Sequence, residues 1–160
     1  FIKERDESVK AYAMEPEECP IITQGKWGSH HIEGIGDGFI PDNLHLQQMD
    51  GIVTTNSEES IEMAIKLAKE EGIFSGISSG ANVKSAIKIA KEHPEYDRIV
   101  TLICDNGDRY YSTGIFGEQK ELDTPAREDT SILPEDERKL KELHESGHKL
   151  EYITDLEPEE

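Results

Sequence analysis

The stretch Cys104-Asp105-Asn106-Gly107-Asp108-Arg109-Tyr110 follows an apolar run of strand length. Ligands of parallel α/β sheets gather beyond the carboxyl ends of the strands, so a polar turn there is a candidate binding site. Asn106 is short, neutral and able to donate or accept a hydrogen bond. An ordinary Asp-Asn-Gly turn, with Asn and Gly supplying positive φ, competes with binding, and the residues alone favour it. A second candidate is Gly34-Ile35-Gly36-Asp37-Gly38-Phe39-Ile40-Pro41, whose alternating glycines let a backbone approach a ligand closely. It is not a dinucleotide fingerprint, because no strong strand precedes it and no periodic helix follows. A flexible loop explains it equally well. The third candidate, Gly76-Ile77-Ser78-Ser79-Gly80, leads straight into a helix, whose free N–H groups and partial positive charge favour anions. Capping alone accounts for Ser79, and the flanking glycines point to close packing.

His144-Glu145-Ser146-Gly147-His148 matches H-E-x-x-H. Zinc chemistry there needs both His on one face of a rigid helix, a third ligand and a cleft. Gly147 sits where the helix should continue, so the segment reads as an exposed helix end, with His suited to the dipole. His30 and His31 are adjacent and do not face one another. Cys19 and Cys104 lack C-x-x-C spacing, so neither a zinc ribbon nor a redox pair is indicated, and no metal is assigned. Cys104 is expected to be a buried thiol and Cys19 to lie in a loop; a reducing cytoplasm suits both.

These stretches must be positioned by regular elements. Val9–Met14 reads as a short strand stopped by Glu15-Pro16, and Gly51–Thr55 as a second, β-branched strand. Between them, residues 15–48 form a long, glycine-bearing loop region. Asn56 caps a helix, with Glu59 completing a capping box and Ile61, Ala64, Ile65 and Ala68 forming one apolar stripe. A second helix starts near Ser79 or Gly80, carries Val83, Ala86, Ile87 and Ala90, and ends at His93-Pro94. Arg98–Cys104 then reads as a parallel strand buried on both faces. Strand, helix, helix, strand is an α/β signature. Beyond Asp123-Thr124-Pro125, Pro134 and the acids after it start a helix with a thin stripe of Leu140 and Leu143, closed by Gly147.

The chain has 160 residues, enough for one domain with a core, and a formal charge of -18. That charge repels phosphate backbones, so no nucleic-acid partner is expected. No run of 18 apolar residues is present, and neither a membrane span nor a secretory leader is expected. Position 1 is Phe rather than Met, which suggests a piece of a longer chain.

In order, VKAYAMEPEE, GKWGSHHIEGIGDGFIPDNL, EEGIFSGISSGANVKSAIKIA and RIVTLICDNGDRYYST resemble the C-terminal half of a cysteine synthase, the O-acetylserine sulfhydrylase family. The resemblance covers residues 1 to about 116. It implies a fold-type-II enzyme dependent on pyridoxal 5′-phosphate (PLP), with a three-layer α/β sandwich and a mostly parallel sheet. Residues 1–117 then form a partial α/β domain and residues 118–160 an acidic, helical C-terminal tail. The implied reaction replaces the acetoxy group of O-acetylserine by sulfide to give L-cysteine. The family's Schiff-base lysine and its phosphate-cupping loop belong to an N-terminal half that this sequence lacks, so the chain alone is expected to be inactive and to bind PLP only with that half. None of Lys3, Lys10, Lys26, Lys66, Lys69, Lys84 or Lys88 sits in the family's lysine motif, and no catalytic residue is assigned. Asn106 occupies the position of the family's Ser or Thr that contacts the pyridine nitrogen. Gly34, Ile35 and Gly36 match the glycine loop at the substrate mouth, and Gly76–Ala81 the turn packed under the cofactor region. The partners implied are the missing half, a second copy in a homodimer, and the C-terminal peptide of serine acetyltransferase. A binding module or pseudoenzyme recognising that peptide is the alternative to an enzyme. Another PLP-dependent β-replacing enzyme, such as cystathionine β-synthase, also fits.

Overall fold

The computed structural model describes residues 1–117 and 131–156. In chain order, a helical turn α1 (Ile2–Arg5) precedes strand β1 (Tyr12–Pro16) and a second turn α2 (Ile21–Gln24). Strand β2 (Gly51–Thr55) leads into helices α3 (Ser57–Glu70) and α4 (Ile77–Glu92). The 3-10 segment Gly107–Thr113, helix α5 (Pro134–Glu145) and strand β3 (Glu151–Ile153) complete the chain. The fold is α/β with a parallel sheet in the order β1-β2-β3.

The β-branched run Gly51–Thr55 is buried at every position, as a central strand requires. Tyr12 of β1 pairs with Gly51 on one side of it, and Glu151 of β3 with the same residue on the other. β1 begins later than the sequence suggests and runs through Pro16. Proline is tolerated at an edge, and among the described residues β1 pairs on one side only. β3 was not anticipated: three residues are too few to register as a pattern.

Asn56 caps α3 by accepting the N–H of Glu59 at 2.9 Å. The other half of the expected capping box is not made. Glu59 turns instead to Lys84 (2.8 Å) and Lys88 (3.3 Å) of α4, which joins the two helices. Lys88 also reaches Glu17 (3.1 Å), Asp155 (2.9 Å) and the carbonyl of Thr54 (3.1 Å). Burial pulls its pKa down, but the bonds to Asp155 and Glu17 outweigh that and hold it above the usual lysine range.

Arg98–Cys104 departs from expectation most. It forms no strand among the described residues, and Val100, Leu102 and Ile103 are 82%, 71% and 47% exposed. Cys104, expected buried, is likewise exposed. A strand exists only with a neighbour to complete its ladder, and none of the described strands lies beside this segment. It runs along α4, where Ser79 Oγ accepts the N–H of Cys104 at 2.9 Å and Asn82 donates to the carbonyl of Leu102 at 3.0 Å.

The edge strand β3 is latched by an aromatic and charged cluster. His93, which follows α4, faces Glu95 at 3.0 Å and Glu151 at 3.0 Å and stacks on Tyr96. Tyr12 donates to Glu151 at 2.8 Å. The bond to Glu95 raises the His93 pKa above the ordinary 6.5; desolvation opposes it, and the charge of and bond to Glu151 add to the rise. A raised histidine pKa stabilises fully below 6.5, and the gain is lost as pH climbs through the folded-state value. The thermal midpoint should therefore fall over that window. His93→Gln should abolish this component in a pH series of melting curves.

Candidate functional site

Three of the polar or glycine-rich stretches converge. Ser75 and Asn106 form an isolated antiparallel bridge, and the N–H of Gly107 bonds to the carbonyl of Phe74 at 3.3 Å. The loop before α4 and the turn after residue 104 thus share backbone hydrogen bonds. Behind them lies an apolar cluster of Ile32, Ile77, Ala81, Tyr110 and Ile115, with Met14, Ile35 and Phe116 packed against it. Ile35 anchors the glycine loop to the same core that carries the first turn of α4 and the 3-10 segment Gly107–Thr113.

The helix starts at Ile77, earlier than the sequence suggests, with Gly76 as its N-cap. Ser79 is therefore inside the first turn and holds Cys104 rather than capping. A side chain at Gly76 would collide with Asp105 (2.2 Å) and Tyr110 (2.4 Å), and one at Gly80 with the carbonyl of Ser60 at 2.1 Å. Close packing, not anion capture, explains these glycines.

Tyr110 is buried and donates to Asp105 Oδ2 at 2.9 Å. Burial, then the bond to Asp105, push the Tyr110 pKa up to about 12, so it stays a neutral donor. Asp105 Oδ1 and Ser75 Oγ are buried with no partner among the described residues. Asn106 is exposed and caps the 3-10 segment, its Oδ1 accepting the N–H of Asp108 at 3.3 Å. Its amide nitrogen donates to no described residue. Ser75 lies in the block EEGIFSGISSGANVKSAIKIA, but its burial is not legible there. Only burial separates it from any other loop serine.

In the glycine loop, Gly34 (φ 90°) and Gly36 (φ 62°) adopt left-handed backbone. The carbonyl of Gly36 accepts from His30 Nε2 at 3.0 Å, and His30 Nδ1 accepts the N–H of Ile32 at 3.1 Å. His30, set aside on sequence grounds, is thus the staple that shapes the loop. Cys19 Sγ lies 3.5 Å from the same carbonyl, and burial raises its thiol pKa. Lys3 and Lys10 pair with Asp50, and Lys84 and Lys88 with Glu59. The H-E-x-x-H segment does not form one helical face: α5 ends at Glu145, and His148 bonds to the carbonyl of Met49 at 2.6 Å. The described residues hold no group of three or more potential metal ligands. No described helix is long and apolar enough to cross a membrane.

Residues 1–105 match the family described as pyridoxal-phosphate dependent enzyme. This chain belongs to that family. Its cofactor is therefore pyridoxal phosphate. Among curated relatives of this chain, a cysteine synthase of Buchnera aphidicola is 48% identical over 122 residues, covering 72% of this chain and 38% of that protein. A solved cysteine synthase of Entamoeba histolytica superposes with a TM-score of 0.69 at 34% identity, over 77% of this chain and 36% of that one. An O-acetylserine-dependent cystathionine β-synthase of Helicobacter pylori gives 0.66 at 40% identity, over 72% and 37%. The chain thus spans a little over a third of the relatives it matches.

At Gly36 an added Cβ would lie 2.6 Å from His30 Nε2 and 2.9 Å from Pro16. Gly36→Val should displace His30 and reshape the loop without unfolding the α3–α4 pair. In two-dimensional NMR, the expected shifts are confined to residues around 30–40 and Pro16's neighbours.

Proposed function

We propose that this chain is the C-terminal portion of a PLP-dependent cysteine synthase, a transferase that makes L-cysteine from O-acetylserine and sulfide. The supporting observation is the convergence of the family's matching blocks on one core, with polar groups left unmatched beside Asn106. Those residues fit the cofactor. Ser75 Oγ and Asp105 Oδ1 are buried without partners among the described residues, and Gly76 keeps the space against Asp105 free of a side chain.

Bound PLP supplies the electron sink for β-replacement. Asn106 would hold its pyridine-nitrogen end through an amide with an uncommitted N–H. A neutral partner does not force protonation of that nitrogen. Tyr110 fixes Asp105 and so fixes the turn that carries Asn106. Gly34, Ile35 and Gly36 would line the substrate mouth, Ile35 tying it to the core and the glycines letting backbone approach the substrate.

The edge of β1, unpaired among the described residues, and the exposed segment 98–104 support a docking role for the remainder of the enzyme. Met14 of β1 packs on the cluster containing Ile77 and Ala81, and Cys104 bonds to Ser79 of the same helix. A strand from the other part of the enzyme, entering between them, would complete both ladders and cover Val100 and Leu102. The catalytic lysine would arrive with that part, so this chain alone is inactive. The complete enzyme would be a homodimer working in the cytoplasm. The Helicobacter relative favours one second reading, a thiol other than sulfide as the attacking group.

Mixing the chain with the N-terminal part of a cysteine synthase should give O-acetylserine-dependent sulfide consumption. The chain alone should give none, and borohydride should fix PLP to none of its lysines. Cysteine formation by the isolated chain would sink the proposal. Homocysteine used in preference to sulfide would favour the second reading. In the complemented enzyme, Asn106→Ala should lower turnover roughly tenfold, the worth of one hydrogen bond. Its cost in chemical denaturation should stay within about 1 kcal/mol, that of a lost cap.

A further inference from the structure

Helix α5 lies outside residues 1–105, which match the family, yet it holds the far end of the glycine loop. Asp136 is 1% exposed, and its Oδ1 accepts the N–H of Ile40 at 3.1 Å. Lys139, one turn on, donates to the carbonyl of Ile40 at 2.5 Å and pairs with Asp42 at 3.1 Å. Both backbone groups of one loop residue are therefore gripped by one turn of one helix. Ile40 itself is buried in a second apolar cluster, with Cys19, Ile21, Leu46 and Leu143 of α5. The near end of the loop is held separately, where His30 and Cys19 meet the carbonyl of Gly36. Residues 36–40 are thus suspended between two anchors, and the tail supplies one of them.

Seating α5 does not by itself require this polar grip. Leu140, Leu143 and Ile132 already pack into the cluster. A buried carboxyl group is costly to desolvate, and Asp136 Oδ2 has no partner among the described residues. An apolar residue at position 136 would fill the site without that cost. What the Asp136–Lys139 pair adds is direction: two hydrogen bonds that fix the peptide groups on either side of Ile40.

We infer that Asp136 and Lys139 are positioning residues for the glycine loop, so that docking of α5 sets the shape of the substrate mouth. The inference rests on the reading of Gly34–Gly36 as that mouth. A helix beyond the matched residues 1–105 would then tune substrate capture.

Hydrogen exchange on the 160-residue chain tests this without cofactor or activity. Asp136→Ala should speed exchange of the Ile40 amide about tenfold, as expected for one lost hydrogen bond. Faster exchange should extend to Leu44, whose N–H bonds to the carbonyl of Pro41, while α3 and α4 keep their protection. Asp136→Asn retains an acceptor and should restore most of the protection. If Asp136→Ala unfolds the chain, Lys139→Met decides, since it removes the second grip and leaves the buried carboxyl group in place. Loop amides unchanged in the folded variants would overturn the inference, and so would fraying confined to α5. In the complemented enzyme, Lys139→Met should raise KM for O-acetylserine roughly fivefold with little change in kcat. A fall in kcat at constant KM would overturn it too. If the unmutated complex has no activity, the cysteine synthase reading fails and the exchange result still decides the loop.

Discussion

The backbone of a strand must be paired on both sides or left to solvent, and that constraint organises this molecule. β2 is the one strand with both neighbours among those described, and every residue in it is buried. On one side it holds β1, whose last residues deliver Glu15 to the start of the loop region. Glu15 accepts the N–H groups of Ile22 (2.8 Å) and Thr23 (2.9 Å), turning the chain toward the glycines. Burial raises the Glu15 pKa, and these bonds oppose the shift. On the other side β3 occupies an edge that would otherwise be open. Residues 98–104 have the composition of a strand but no strand partner among the described residues, and bond to Ser79 and Asn82 of α4.

A chain of formal charge -18 must spend its few cations carefully. Lys88 meets Glu17, Glu59 and Asp155 at once, joining the end of β1, the start of α3 and the tail. Lys84 adds a second contact to Glu59, whose pKa falls below the usual range: its lysine partners overcome the desolvation of a partly buried site. Cations that bridge several carboxylates relieve repulsion between elements distant in sequence. A surface pair such as Lys66–Glu70 does not.

The candidate site is organised from behind. An apolar cluster locks Ile35, Ile77 and Tyr110 together, and the polar groups of Ser75, Asp105 and Asn106 ride on that core. Rigid backing is what a site needs if its side chains are to keep their direction. The second cluster, built on Cys19, Ile40 and Leu143, brings the tail to the other end of the same loop. The glycine loop therefore lies between two cores, one inside the family's shared region and one that depends on α5.

The sequence by itself determined the helices α3 and α5, the strand β2 and the family, because caps, apolar periodicity and motif order are local properties. It singles out Asn106 and the loop Gly34–Gly36 as candidates only. It misjudged Arg98–Cys104, because apolar composition signals a capacity to pair and says nothing about whether a neighbour is there. It did not show β3, the burial of Ser75, the part played by His30 or the grip of Asp136 and Lys139 on Ile40. The strand β3 and the grip on Ile40 depend on groups far apart in the chain: Asp136 and Ile40 are separated by 96 positions, and Tyr12 and Glu151 by 139. Only the folded arrangement decides which polar atoms lose water and which partner each then meets, and no periodicity records that choice.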